Sequence, residues 1–359
     1  MNYKKLIPSL CTAVFWIISI PQGWAQVTGG PQVKVELMLI DDAGQPVEGA
    51  DARISYIGVV PNTGESFRLT SGADGTVTAK SALNGHVKAT VTKDGHYPVV
   101  WPQVITKGAW EEKPLIQAEI ILREIKKPTA LHAKKVELAV PAFGEWIGYD
   151  LRQGDWVKPH GGGVVRDIEL HAEREYGGFR MPEEKFRIPI NADVPEAELR
   201  LTYGNWKGEL KLRVPTEGGG AHIEKQGYQV FGEEVEYYRL GHWEMRLPHL
   251  APEDGYQGAP LVWEKSYPSA SPPNVDPKVG YFLRTRVKLN DEGEIVSANY
   301  AKIMTSDAQF KGSDIHFDPR GKISFTYYFN PTVHDRNLEF DPKKNLFTDL
   351  EDNEKVRLP

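Results

Sequence analysis

The chain has a single cysteine among 359 residues, Cys11, and it lies inside an apolar N-terminal stretch. A chain without that stretch has no disulfide and no thiol nucleophile. No later apolar run approaches the roughly 20 residues that a membrane-spanning helix requires. A basic stripe is also missing: 43 Lys and Arg stand against 49 Asp and Glu, for a net charge of −6. That balance argues against nucleic acid or an anionic membrane as partner. No window sustains a helical period, apart from short turns around Pro195 to Glu198, so helical folds are excluded too.

What is present begins with a leader. Lys4 and Lys5, the apolar run Leu6 to Ile20 and the small-residue site Gly23-Trp24-Ala25 read as a secretory signal peptide over residues 1–25. Its loss removes two lysines and moves the charge to about −8. The expected location is secreted or periplasmic. The 34 Gly and 26 Pro fit many strands joined by turns.

Residues 33–122 alternate from the start. Val33, Val35, Leu37 and Leu39 repeat at period two, and Asp41, Asp42, Gly44 and Pro46 supply turn chemistry. Further short strands follow at close intervals, as in a small β-sandwich. Asp42-Ala43-Gly44-Gln45-Pro46-Val47-Glu48-Gly49-Ala50 resembles the opening motif of carboxypeptidase regulatory-like domains. Ser71-Gly72-Ala73-Asp74-Gly75 resembles their acidic turn, with Ser71 and Thr76 departing from it. Gly85-His86-Val87 through Lys93-Asp94-Gly95-His96-Tyr97 resembles their closing strand pair. The likeness spans about 90 residues and implies a transthyretin-like, seven-stranded, non-catalytic module. It implies no ligand. His86 and His96 read as turn-adjacent structural residues, and Asp41, Asp42, Asp74 and Asp94 as turn formers.

Residues 123–135, charged and containing Pro128, read as a linker. Residues 136–347 read as a larger β-rich domain, and 348–359 as an acidic tail. His160-Gly161-Gly162-Gly163 matches the wording of an esterase oxyanion loop, but no GxSxG occurs in the chain to provide the nucleophile. A flexible glycine loop is the expectation. Trp146, Tyr149 and Trp156, beside Asp150, Arg152 and Asp155, form an aromatic and polar loop that can stack and hydrogen-bond a glycan; the same aromatics also suit core packing. Glu173, Glu175, Glu183, Glu184, Glu233, Glu234 and Glu236 can supply a glycosidase pair or simply line solvated strand faces. His242 and His249 match no metal spacing. Asp254 to Lys278 is Pro-rich and reads as an exposed loop.

The most regular strand–turn–strand pattern runs from Tyr281 to Phe347. Phe282, Arg284, Arg286 and Lys288 alternate with Tyr281, Leu283, Thr285, Val287 and Leu289, a cationic face expected to pair with Glu294 or the acidic tail, with an anionic ligand as the alternative. Asp314, His316 and Asp318 share one strand face and make a candidate divalent-metal or proton-transfer site; an edge strand gives the same pattern. The closing phrase resembles the C-terminal ends of exported bacterial proteins of unassigned function, and that resemblance implies no activity.

The expectation is therefore an all-β protein: a transthyretin-like β-sandwich followed by a larger sandwich-like domain, with no cofactor. It would act as a non-catalytic binding or structural module of the cell envelope, its partner a polysaccharide or another envelope protein. A glycan-active hydrolase and a subunit of a surface assembly are the alternatives.

Overall fold

The structure is a computed structural model that describes residues 32–58, 64–82, 85–104, 115–188, 193–225, 230–231, 247–268, 279–304 and 315–357. The leader lies outside the described residues. Among those residues no helix is long and apolar enough to cross a membrane. The architecture is all-β, as expected.

Seven strands come from the first part of the chain: β1 (Gln32–Ile40), β2 (Asp51–Gly58), β3 (Gly64–Thr70), β4 (Thr76–Ala82), β5 (Gly85–Thr92), β6 (Val99–Val104) and β7 (Leu115–Ile121). They form two four-stranded sheets, one ordered β3-β2-β5-β6. The other contains β7-β1-β4, and its fourth strand arrives from much later in the chain, Val230–Phe231. The alternation of Val33, Val35, Leu37 and Leu39 turns all four into one core with Ile54, Tyr56, Val91 and Trp101. Burying such side chains stabilises by about 1.5–3 kcal/mol each. Ser71, which departs from the turn motif, accepts from the Ala50 N–H at 2.9 Å and donates to the Val47 carbonyl at 2.7 Å. It clamps the turn below it.

The second part has two further sheets that share a core. Residues that continue from the first unit supply β8 (His132–Ala139), β9 (Trp146–Asp150), β10 (Asp155–Trp156), β11 (Ile168–Phe179), β12 (Gly204–Arg213), β13 (Gly220–Lys225), β14 (the Val230–Phe231 strand), β15 (Leu261–Tyr267), β16 (Val279–Leu289), β17 (Ile295–Met304), β18 (Ile315–Asp318) and β19 (Lys322–Asn330). One sheet is ordered β10-β9-β11-β12-β15 and the other β13-β16-β17-β19-β18, with β8 also on β19. Leu170, Leu210 and Leu212 of the first meet Leu283, Ile303, Phe325 and Tyr327 of the second. The far face of the second sheet is covered as well, by Leu131, Leu247, Leu338, Phe340 and Val356 against Phe282 and Tyr328. β19 is therefore buried on both sides, which is why KISFTYYFN lacks alternation.

Several local readings change. AELRLTY, which looks strand-like, lies in α1 (Glu196–Tyr203). Acidic residues fill its first turn, Glu196 and Arg200 pair at 2.6 Å, and the Trp206 indole donates to the Arg200 carbonyl at 3.0 Å. Inside the Pro-rich stretch read as a loop, LVWEKSY is a strand on β12, and positions 269–278 lie outside the described residues. The stretch read as a linker is bound along its length: Arg123 is buried against Asp42, the Lys126 and Lys127 N–H groups donate to Glu339, and its last residues, from His132, belong to β8. The tail also docks, with the Lys135 N–H on the Glu354 carbonyl at 2.8 Å. Alternation in β16 is broken by a bulge between Thr285 and Lys288.

The two units meet over buried polar groups. Glu339 is 1% exposed and accepts from Tyr97 Oη at 2.9 Å. The Lys302 ammonium lies 4.5 Å from the Tyr328 ring centre. Burial, helped by the Arg123 charge and opposed by Glu339, drags the Lys302 pKa from 10.5 to about 7. The unfolded chain keeps that proton to about pH 10.5 whereas the folded chain gives it up near 7, so the unfolded state binds more protons across that window. Stability should therefore climb as the pH rises from neutrality towards 9. Melting curves across this range should show the climb in wild type and a flat response in Lys302→Met; equal slopes in the two proteins would contradict the assignment.

Candidate functional site

The cross-strand register of β11, β12 and β15 builds the site. Leu170 faces Leu212, and Ala172 faces Leu210, which faces Trp263. Two residues further on, Arg174 faces Gly208, which faces Lys265, and then Tyr176 faces Trp206, which faces Tyr267. All these positions have the same parity and so share one sheet face. The face that is leucine core at one end is therefore cationic and aromatic at the other. Burial lowers the Lys265 pKa.

There the facing sheet is ending, with Phe317 and Pro319 at the close of β18 packed over Gly208. Between the ends of the two sheets and α1 lies a cleft of about 580 Å³ lined by Val140, Phe143, Arg174, Arg200, Trp206 and Arg320. Its aromatic faces are covered. The Arg174 guanidinium sits 4.1 Å from the Phe143 ring centre and 5.0 Å from that of Trp206. Arg320 lies 3.6 Å over Tyr267, and Arg200 lies 5.0 Å over Tyr176. Such stacks favour arginine over lysine, because the guanidinium is planar and weakly hydrated. Arg320 is paired with Asp318 at 2.6 Å and Arg200 with Glu196 at 2.6 Å. Arg174 instead donates to the Arg320 carbonyl at 3.1 Å, and no described carboxylate pairs with it.

On the opposite face of the same sheet, Glu173, Glu209 and Glu264 stand side by side across three strands. Like charges directly opposite repel. Lys211 answers Glu209 at 2.6 Å, and Lys207 lies in the same open groove of about 550 Å³.

The residues read as a glycan loop share one hairpin but divide between its faces. Trp146 is half-buried on the outer face, with Arg213 4.1 Å over its ring. Tyr149 and Trp156 are 0% and 5% exposed and meet edge to face at 5.4 Å in the core, so neither offers a plane to a sugar. Asp150 is 2% exposed and accepts from the N–H groups of Arg152, Gln153, Val164 and Val165 at 2.9–3.1 Å. Burial pushes its pKa up, but these four donors outweigh that and leave it below 3.8. Arg152 is exposed. The stretch is structural in its interior and polar only at its rim.

The glycine run is equally structural. A Cβ at Gly161 would lie 2.5 Å from the Trp156 carbonyl oxygen, and one at Gly163 would lie 2.9 Å from it. The Gly162 N–H donates to Asp155 at 2.7 Å. The loop is pinned, not flexible.

The cationic face of β16 finds partners other than Glu294 or the tail. Arg286 Nε and Nη2 donate to the two oxygens of Asp167 at 2.7 and 2.8 Å, and Nη2 also reaches Asp150 at 3.1 Å. Asp167 is 0% exposed and further accepts from Leu151 N at 2.9 Å and Thr285 Oγ1 at 3.2 Å. Burial would lower the Arg286 pKa, but its bonds to Asp167 win and hold it higher than usual. His132 nearby has its ring centre 4.9 Å from that of Phe347; burial, with the charges of Arg152 and Arg286, pulls its pKa down to about 4.

Of the proposed metal ligands, Asp314 and the His316 side chain lie outside the described residues. Asp318 is engaged by Arg320. Among the described residues no group of three His, Cys, Asp or Glu side chains is placed to hold a metal. Glu233, Glu234, Glu236 and His242 also lie outside them.

No protein-family model matches the chain, and no curated protein does. Among solved structures, hydroxyquinol 1,2-dioxygenase from Pseudomonas putida aligns at 13% identity and TM-score 0.23, covering 27% of this chain and 58% of its own. 3-Chlorocatechol 1,2-dioxygenase from Rhodococcus opacus aligns at 8% identity and TM-score 0.22, covering 27% of this chain and 61% of its own. The dioxygenase domain of a dioxygenase carbohydrate-binding fusion from Streptomyces sp. SirexAA-E gives 13% and 0.22, covering 27% and 82%. This chain thus spans less than two thirds of the first two neighbours, and likeness at this level carries no argument about its activity.

Truncating Arg286 would leave Asp167 buried and uncompensated, whereas Asp150 keeps its four N–H donors. Arg286→Met should cost about 3–5 kcal/mol in chemical denaturation, and Asp167→Leu combined with it should recover most of the loss. A single-variant cost below about 1 kcal/mol, the range of an exposed pair, would refute the central role of the pair.

Proposed function

We propose that the protein is an exported, non-catalytic β-sandwich module of the cell envelope that binds an extended glycan in the cleft between Phe143, Arg174, Trp206 and Arg320. The observation that carries this reading is the cleft itself: an open concavity whose walls are aromatic bodies and whose rim is a set of fixed hydrogen-bond donors. The first sandwich, with its likeness to carboxypeptidase regulatory-like domains, fits an accessory module beside it, and the leader fits export. Ala197 lines the cleft from the exposed side of α1. In affinity electrophoresis through soluble envelope polysaccharides, wild type should be retarded by at least one. Ala197→Trp, which fills the cleft without touching the core, should weaken that binding roughly tenfold or more at an unchanged melting temperature. Unretarded wild type, or a variant retarded equally, would refute the cleft as the site.

A second reading, a glycan-active hydrolase, draws on the row Glu173, Glu209 and Glu264. Residues directly opposite in neighbouring strands are roughly 5 Å apart at Cβ, which lets their carboxyl groups reach the ~5 Å separation that a retaining pair needs. That reading expects turnover of a polysaccharide and its loss in Glu209→Gln; a reducing-sugar assay with no product from wild type disposes of it.

A further inference from the structure

The arginines change what the cleft can recognise. A neutral sugar docks its C–H face on a bare aromatic plane, yet here the planes of Phe143 and Trp206, the aromatics that line the cleft, lie under Arg174, while its other two arginines, Arg320 and Arg200, lie over the neighbouring rings of Tyr267 and Tyr176. A guanidinium laid over a ring has its face occupied and its N–H edge free. Arg174 has five N–H donors and places one, on Nη1, on a described carbonyl, that of Arg320. The surface offered to a ligand is thus a donor edge, which is the geometry that grips a carboxylate with two parallel bonds.

Charge narrows the choice further. Arg200 and Arg320 carry their own carboxylates, Glu196 and Asp318, while Arg174 pairs with none that is described. The cleft therefore has one positive charge that no described carboxylate compensates, set beside two neutralised pairs. The chain as a whole is acidic, with net charge −6, so it adds no general attraction for polyanions. One charge in a concave, aromatic-walled site suits a ligand with one carboxylate per sugar ring.

We propose that the cleft selects a uronic-acid glycan, with Arg174 as the specificity-determining residue that holds the sugar carboxylate. This inference rests on the cleft being the glycan site.

Isothermal titration of the full chain with polygalacturonate, with the same polymer carboxyl-reduced to the neutral form, and with dextran sulfate tests it. Wild type should bind polygalacturonate, and the reduced polymer should bind roughly tenfold or more weakly. Arg174→Gln should erase that difference, and Arg174→Lys should fall between, since lysine keeps the charge but not the fork. Arg174 is exposed, so both variants should melt as wild type does; should the glutamine variant fail to fold, the lysine variant carries the comparison. If both polymers bind wild type equally and Ala197→Trp blocks both, the acidic specificity is wrong and the glycan cleft stands. If no polymer binds, the cleft reading fails and this inference fails with it. Dextran sulfate binding as tightly as polygalacturonate, and unaffected by Arg174→Gln, would mean attraction to charge in general and would overturn the proposal.

Discussion

The second sandwich depends on one buried ion pair. Asp167 ends the loop that leaves β10, Arg286 sits in the bulge of β16, and the two belong to opposite sheets of the core. Arg286 has φ 52°, left-handed backbone that a non-glycine residue adopts at a cost of about 1–3 kcal/mol. The bidentate grip on a fully buried carboxylate is what holds it there. Removing the Arg286 charge strands Asp167 away from water, whereas Arg286 is partly exposed and keeps Asp150, so the pair acts as a registration device between the sheets more than as a source of net stability. Asp150 extends the device: its four N–H donors tie both ends of the loop down, and the glycine run packs into the space that remains.

With the sheets registered in this way, their unequal lengths create the cleft. β11 and β12 continue past the point where the opposing sheet stops, and their inward face changes from leucine to arginine and aromatic at that point. A guanidinium is well suited to this position, because it covers the rings that would otherwise be bare and keeps its edge in water. The fold thus leaves polar chemistry at its open end without exposing a large apolar patch.

Much of the architecture was legible in the sequence. Period-two alternation located β1 and the strands after it, and Asp and Gly clusters located the turns. The failures have physical causes. AELRLTY has the apolar spacing of a strand, yet it forms a helix supported by an acidic first turn, the Glu196–Arg200 pair and the Trp206 indole on the Arg200 carbonyl. Tyr149 and Trp156 sit in a Gly-rich stretch that looks like an exposed loop, but a buried Asp150 that satisfies four backbone donors folds that stretch inward. The partner of Arg286 is more than a hundred positions away in the chain, beyond any local pattern. The cleft did leave one trace: Leu170, Ala172, Arg174 and Tyr176 share a parity, and the series turns polar midway. That signal becomes readable only once the strand pairings are known.

The docked tail and the far-travelled strand β14 bear on the order in which the chain can fold. β1 to β7 are all made before β8, so most of the first core can collapse early, lacking only the edge strand from Val230–Phe231. The second core is different. β8 waits for β19, Tyr97 reaches a glutamate 242 positions downstream, and Val356 closes an outer layer that begins with Leu131. Contacts this distant are slow to form, because the intervening chain must be confined before they contribute anything. A nascent chain would therefore carry a nearly finished first sandwich ahead of a second one held open until β19 and Val356 have emerged, and loss of the segment around Val356 would uncover the outer layer of the second sheet.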